Sequence, residues 1–212
     1  MQEILQFVAA VVIISASGVM APGPLFAATV SRGIKEGRMA GLRVAYGHTL
    51  VELPLVILIG IGALSFEVFP EFRAAISILG AASIFVFAAL QIRAGLKPKQ
   101  TAGESKYGSF VTGVLLTGLN PFFLAWWFTI GFKLISDAYV MWSFVGILIM
   151  FGLHIWMDYA WLVAVSTLSS SSRRFLSNKA FKAAIVGINV VLIYLGVTFV
   201  FDYLAAVGQL QS

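Results

Sequence analysis

Residues 39–65 read MAGLRVAYGHTLVELPLVILIGIGALS, and past Arg43 the only acid or base in that stretch besides His48 is Glu52. At 1.5 Å per residue a helix of this length reaches about 40 Å, more than the ~30 Å hydrocarbon core of a bilayer. The rest of the chain has the same character. Of its 212 residues 60% are hydrophobic and 11% charged, and mean hydropathy is +0.96; soluble domains carry about a quarter charged residues. So little charge cannot cover a water-facing surface, and the sequence predicts an all-α membrane protein.

Working outward, six spans are expected, over about 4–30, 39–65, 72–94, 110–135, 139–168 and 181–206. The breaks between them hold the turn residues and charges, among them Pro70, Lys97-Pro98-Lys99, Ser136-Asp137 and the serine run 169–172. The N-terminus lacks the positive start of a signal peptide, so the first apolar run is expected to stay as helix 1. The 14 basic residues then sort by side. Arg32, Lys35, Arg38 and Arg43 flank the first loop; Arg93, Lys97, Lys99 and Lys106 the third; Arg173, Arg174, Lys179 and Lys182 the fifth. Only Arg73 and Lys133 fall on the opposite side. Cytoplasmic loops carry the excess of Lys and Arg, so the expected multi-pass topology puts both termini outside the cytoplasm. Basic residues dispersed in short loops also argue against nucleic acid as the partner of the +5 chain. With no cysteine, thiolate metal sites, cysteine nucleophiles and disulfides are excluded.

The halves resemble each other. Helix 1 holds Ala21-Pro22-Gly23-Pro24 and helix 4 holds Leu119-Asn120-Pro121. Helix 2 carries His48 with Glu52 four residues on, and helix 5 carries His154 with Asp158 four residues on; these are the only two histidines. Gly80 follows His48 by 32 positions and Gly187 follows His154 by 33. Three helices per half require the second copy to enter the membrane from the opposite side, the inverted construction common in secondary transporters. The expected organisation is one transmembrane domain: a first repeat over about 1–96, a cytoplasmic loop over about 97–108 and a second repeat over about 109–212.

Candidate site residues follow from what a bilayer tolerates. Pro22 and Pro24 remove backbone donors, and Gly23 admits dihedrals closed to other residues, so helix 1 should break there; Asn120 and Pro121 should break helix 4. Irregular backbone at that depth survives only inside protein or beside a wet cavity, and its freed groups suit the carboxylate and ammonium of a zwitterion. An intramembrane acid costs about 3 kcal/mol on insertion scales, so Glu52 and Asp158 should face a cavity or a partner. Each has a histidine on its own helix face, and such pairs can load and release a proton. Because the second repeat is inverted, the working partners are expected across helices, Glu52 with His154 and His48 with Asp158. The alternative is export of a divalent cation by the same four residues. An intramembrane metalloenzyme and a purely structural subunit are the remaining classes. Ser15, Ser17, Thr29, Thr49, Thr112 and Thr117 are expected to bond back to their own helices. Gln91 and Asn189 should bridge helices, and the tryptophans should divide between interface belt and helix contacts. No phosphate loop, nucleophile motif or zincin signature is present. The chain therefore calls for no cofactor, no catalytic residues and no resident metal.

Two blocks then carry a family likeness. Ala21-Pro22-Gly23-Pro24, Ser31-Arg32-Gly33, Gly37-Arg38-Met39-Ala40-Gly41-Leu42 and Gly47-His48 resemble the opening of the lysine-exporter (LysE/RhtB) family. Phe110-Val111-Thr112-Gly113 with Asn120-Pro121 resembles its second signature, although Phe122 follows where that family often has a lysine or a small residue. The resemblance implies a small six-helix amino-acid exporter, a proton-driven antiporter in a prokaryotic plasma membrane. Its partners would be an amino acid as small-molecule substrate and the lipid bilayer; a homo-oligomer is compatible with the same reading.

Overall fold

The computed structural model describes residues 2–66 and 107–171, with isolated helical positions between 85 and 93 and between 179 and 200. Apart from those positions, the expected spans 72–94 and 181–206, with Gly80, Gln91 and Asn189, lie outside the described residues. What is described is helical with short breaks, and no strand occurs among the described residues. The elements are α1 Gln2–Val19, α2 Pro24–Glu36, α3 Met39–Phe66, α4 Ser109–Gly118, α5 Pro121–Trp126, a π-helical turn Trp127–Gly131, and α6 Phe132–Ser171. Three apolar stretches among the described residues are long enough to cross a membrane: Gln2–Val19, Met39–Gly62 and Phe122–Ser171. Ser109–Gly118 is a shorter apolar helix.

The chain leaves helical form at 20–23, where the proline-glycine motif stands, and again at Leu119 and Asn120. Each following helix starts with proline, which loses nothing at a first-turn position whose N–H would be unpaired anyway. α2 runs on to Glu36, past the loop start expected at Arg32, because Arg32 Nη1 lies 2.6 Å from Glu36 Oε1 one turn later. Gly37 ends it with φ 72° and an N–H bonded to the Gly33 carbonyl, a left-handed stop that glycine allows.

The turn expected at Ser136-Asp137 is not there. Asp137 is one turn from Lys133 and paired with it at 2.6 Å, so the helix continues. The reversal comes at Trp142 and Ser143, where Ser143 has φ 55°. Residues eight apart in a straight helix are about 12 Å apart; here a Cβ on Gly146 would run into the Ala138 carbonyl. α6 therefore has two antiparallel arms, 132–141 and 144–171.

Lipid tails are as apolar as leucine, so helices in a bilayer are held by packing and polar contacts rather than by escape from water. α3 lies between α4 and the long arm of α6. At its crossing with α4, Gly47 and Gly113 face each other so closely that a Cβ on either would meet the other helix's backbone. Beyond this crossing the core is Phe7, Val11 and Ile14 of α1, Val56 and Ile59 of α3, Trp126, Trp127 and Ile130, and Ile147 and Met150 of α6. Leu50, Leu58, Ile149 and Trp156 are exposed on the outside, as lipid-facing residues should be.

Candidate functional site

α3 and the long arm of α6 present His48, Glu52, His154 and Asp158 to one another, all buried to 5% exposure or less. Both pairings across the helices are present: His154 Nε2 is 3.2 Å from Glu52 Oε1, and His48 Nε2 is 3.5 Å from Asp158 Oδ1. The pairings within each helix are as close or closer, 3.2 Å for His48 with Glu52 and 3.2 Å for His154 with Asp158. The arrangement is a ring of alternating imidazole and carboxylate, rather than two separate pairs. A single N–H cannot point at two carboxylates. His154 donates to Glu52, while His48 Nε2, Glu52 Oε2 and Asp158 Oδ2 have no aligned hydrogen bond among the described residues. Two carboxylates in so dry a place require two compensating positive charges, and the ring's imidazoles can supply them by protonation.

The second broken span holds the ring in place. Trp127 donates its indole N–H to Glu52 Oε1 at 3.1 Å, and Thr117 Oγ1 lies 2.8 Å from His48 Nδ1. Trp126 and Trp127 flank the His154 ring with centroids at 5.6 and 5.0 Å, and Phe123 meets His48 edge-on at 5.4 Å. The π-helical turn that follows is a form frequent at functional sites. Trp126 in turn rests on Gly18 at the end of α1, where a Cβ would come within 2.9 Å of its ring.

A cavity of about 350 Å³ opens beside the ring. Pro22, Gly23, Pro24 and Asn120 all line it together with the four ring residues, while Pro121 is the first residue of α5. The two breaks treat their exposed amides differently. Asn120 caps α5 by accepting from the Phe122 N–H at 3.0 Å, whereas Gly23 gives α2 no side-chain cap. The positive end of the α2 dipole thus meets the cavity with no side-chain cap among the described residues. Phe26, Phe122, Trp126 and Trp161 complete an aromatic wall.

Several of these neighbours escape the sequence reading. Thr117 turns out to reach across to His48 rather than back along its helix, although Ser17, Thr29 and Thr49 do bond back as expected. Trp126 and Trp127 fall on the helix-contact side of the expected division, both buried, but their place beside the ring was not foreseen. The available signal was their position, between one and two turns beyond the Asn120-Pro121 break, since a mid-span indole N–H needs a partner.

Broken apolar helices around a buried acid-imidazole ring define a polytopic membrane protein of the transporter class. The family model of LysE type translocators matches residues 16–203, and the chain belongs to that family. It is therefore a multi-pass membrane exporter of amino acids or similar small molecules, not an enzyme, with membrane lipid as its surroundings. None of the curated proteins or solved structures compared with the chain matches it.

Proposed function

We propose that the protein exports an amino acid across a prokaryotic plasma membrane in exchange for protons. The observation that carries this reading is the convergence of His48, Glu52, His154 and Asp158 beside both helix breaks in one cavity of about 350 Å³. Pockets of about 300–1,000 Å³ suit small-molecule ligands. In this reading the substrate carboxylate lies at the uncapped start of α2, near Gly23, and its ammonium turns toward the carboxylates of the ring. Protons entering the ring from outside neutralise those carboxylates and release the ammonium. The two repeats, over about 1–96 and 109–212, alternate the cavity between the two sides, with both termini extracytoplasmic.

Cells fed with dipeptides test it. Expression of the protein should raise the external level of one or a few amino acids, and collapse of the proton gradient should abolish the rise. No amino acid accumulating outside would sink the substrate class; accumulation indifferent to the gradient would sink the antiport. Reporters fused after Gly37, Gly103 and Ser172 should read as cytoplasmic and a fusion at the C-terminus as external. A cytoplasmic C-terminus would overturn the topology.

A further inference from the structure

The ring also fits a ligand other than a proton or an amino acid. His48, Glu52 and Asp158 can each offer one donor atom such that all three lie within 4.8 Å of one another. His154 Nε2 closes the figure at 3.2 Å from Glu52 and 3.2 Å from Asp158. A tetrahedral zinc ion with bonds of about 2.0–2.1 Å holds its donors about 3.3 Å apart. Glu52 Oε1 already stands 3.2 Å from both histidine nitrogens, while Asp158 meets His48 with Oδ1 at 3.5 Å and His154 with Oδ2 at 3.2 Å, so a small turn of its carboxylate would present one oxygen to both. From the 4.8 Å limit on the triad, His48, Glu52 and Asp158 need to close on one another by roughly 1.5 Å at most to reach those edges.

Charge and surroundings agree with the distances. Two carboxylates and two neutral imidazoles around a divalent cation sum to zero, which a dry site requires. Metal-bound histidines hold their other ring nitrogen in a hydrogen bond, and ligand carboxylates are themselves hydrogen-bonded. Both supports are present at two of the donors, Thr117 at His48 Nδ1 and the Trp127 indole on Glu52, while His154 Nδ1 is buried with no aligned hydrogen bond among the described residues. His48 Nε2 and Asp158 Oδ2 are buried with no aligned hydrogen bond among the described residues, so both have capacity left for a ligand.

We propose that His48, Glu52 and Asp158, with His154 as fourth donor, form a binding site for a divalent transition-metal ion with zinc's preference for four-coordination. It shares its residues with the amino-acid reading but does not depend on their carrying protons. An ion held there joins α3 to α6, so bound zinc arrests the helix movements that transport needs.

The test is equilibrium dialysis of the purified full-length protein against zinc in detergent, with cobalt(II) absorption as a readout of coordination. One zinc per chain and a four-coordinate cobalt spectrum are expected. Glu52→Gln and Asp158→Asn should each weaken binding about a hundredfold or more, and Ser170→Ala should not change it. Thr117→Val keeps every donor and should still weaken binding about tenfold to a hundredfold through the lost support; it decides the matter if the acid variants do not fold. Absence of saturable one-to-one binding, six-coordinate cobalt, or affinity unchanged in Thr117→Val and both acid variants would overturn the proposal. Amino-acid efflux measured with a metal chelator present is a separate result. Absence of efflux both with and without the chelator would sink the export reading and leave the metal site standing, whereas efflux lost only when the chelator is added would overturn the arrest by zinc.

Discussion

The two broken spans, α1–α2 and α4–α5, reach the cavity with backbone, whereas α3 and the long arm of α6 reach it with ionisable side chains. Neither kind of helix does both. A regular helix satisfies its own amides and carbonyls and has only side chains to offer, so α3 and α6 must carry acids and imidazoles if they are to bind charge at all. A broken helix exposes a dipole end and needs no charged residue, and the described lining residues of 18–26 and 120–127 include none. In the proposed reading, the difference assigns charge binding and charge exchange to separate pairs of helices. The breaks offer a fixed partial charge, suited to holding one end of a zwitterion, while the ring can change its charge by gaining or losing protons.

The sharpest way to break the comparison is to remove a charge from the intact helices. Glu52→Gln and Asp158→Asn keep the shape of the ring and forbid the ionised state. Each is expected to lower proton-driven efflux by about a hundredfold or more, with insertion and expression unchanged on immunoblots of membrane fractions. Efflux within a few-fold of the parent would mean that the ring only fastens α3 to α6.

Much of this contrast was legible in the residues. Pro22, Pro24 and Pro121 announce the breaks because a ring on the nitrogen removes a hydrogen bond wherever it falls. His48 and Glu52, like His154 and Asp158, announce a shared helix face by their spacing of four. What closes the ring was not legible, because depth and facing are tertiary facts. Trp127 reaches Glu52, and Thr117 reaches His48, only through the α3–α4 crossing at Gly47 and Gly113. The reversal at Trp142 and Ser143 carries no turn signature, and Ser136-Asp137, which resembles one, is held helical by the Lys133–Asp137 pair. Gly146 was the available hint, since only a residue without a side chain lets the two arms of α6 meet.

A second prediction fills the first break. A Cβ on Gly23 has nothing within 4 Å, and its backbone at φ −97° is open to any residue. Gly23→Leu should therefore fold normally and project its side chain into the cavity, lowering efflux by about tenfold or more. Gly23→Ala should have a smaller effect, and unchanged efflux in Gly23→Leu would demote the motif to scaffold.

The third separates the two breaks from each other. Asn120 caps its helix and Gly23 does not, so Asn120→Ala should destabilise the protein by about 1 kcal/mol, or 2–4 °C in melting temperature for a chain of this size. Asn120→Asp, which keeps the capping oxygen, should restore most of that loss, and Gly23→Ala should not share it. Equal losses at the two positions would mean that the breaks are held in the same way.

The smallest effect lies where the broken and intact helices are tied together, at Glu36. Its carboxylate ends α2, accepts from Ser109 Oγ at 2.7 Å at the start of α4, and faces Arg43 of α3 at 3.6 Å. The Ser109 hydroxyl first, then Arg32, holds its pKa below the ordinary 4.5 against the opposing effect of partial burial. A carboxyl with a depressed folded value contributes stability that is fully present above the unfolded value and lost as pH falls through the folded one. Glu36 keeps about a quarter of its side-chain exposure, so solvent screening limits the contribution to about 0.2–1 kcal/mol. Melting curves of the parent and Glu36→Gln should therefore differ by no more than a few degrees at neutral pH, with the parent the more stable. The gap should narrow as pH falls below 4.5, because the parent's carboxyl becomes neutral like the glutamine amide. A gap that stays constant through this range would show that Glu36 acts by packing, and that the tie between the two kinds of helix is not electrostatic.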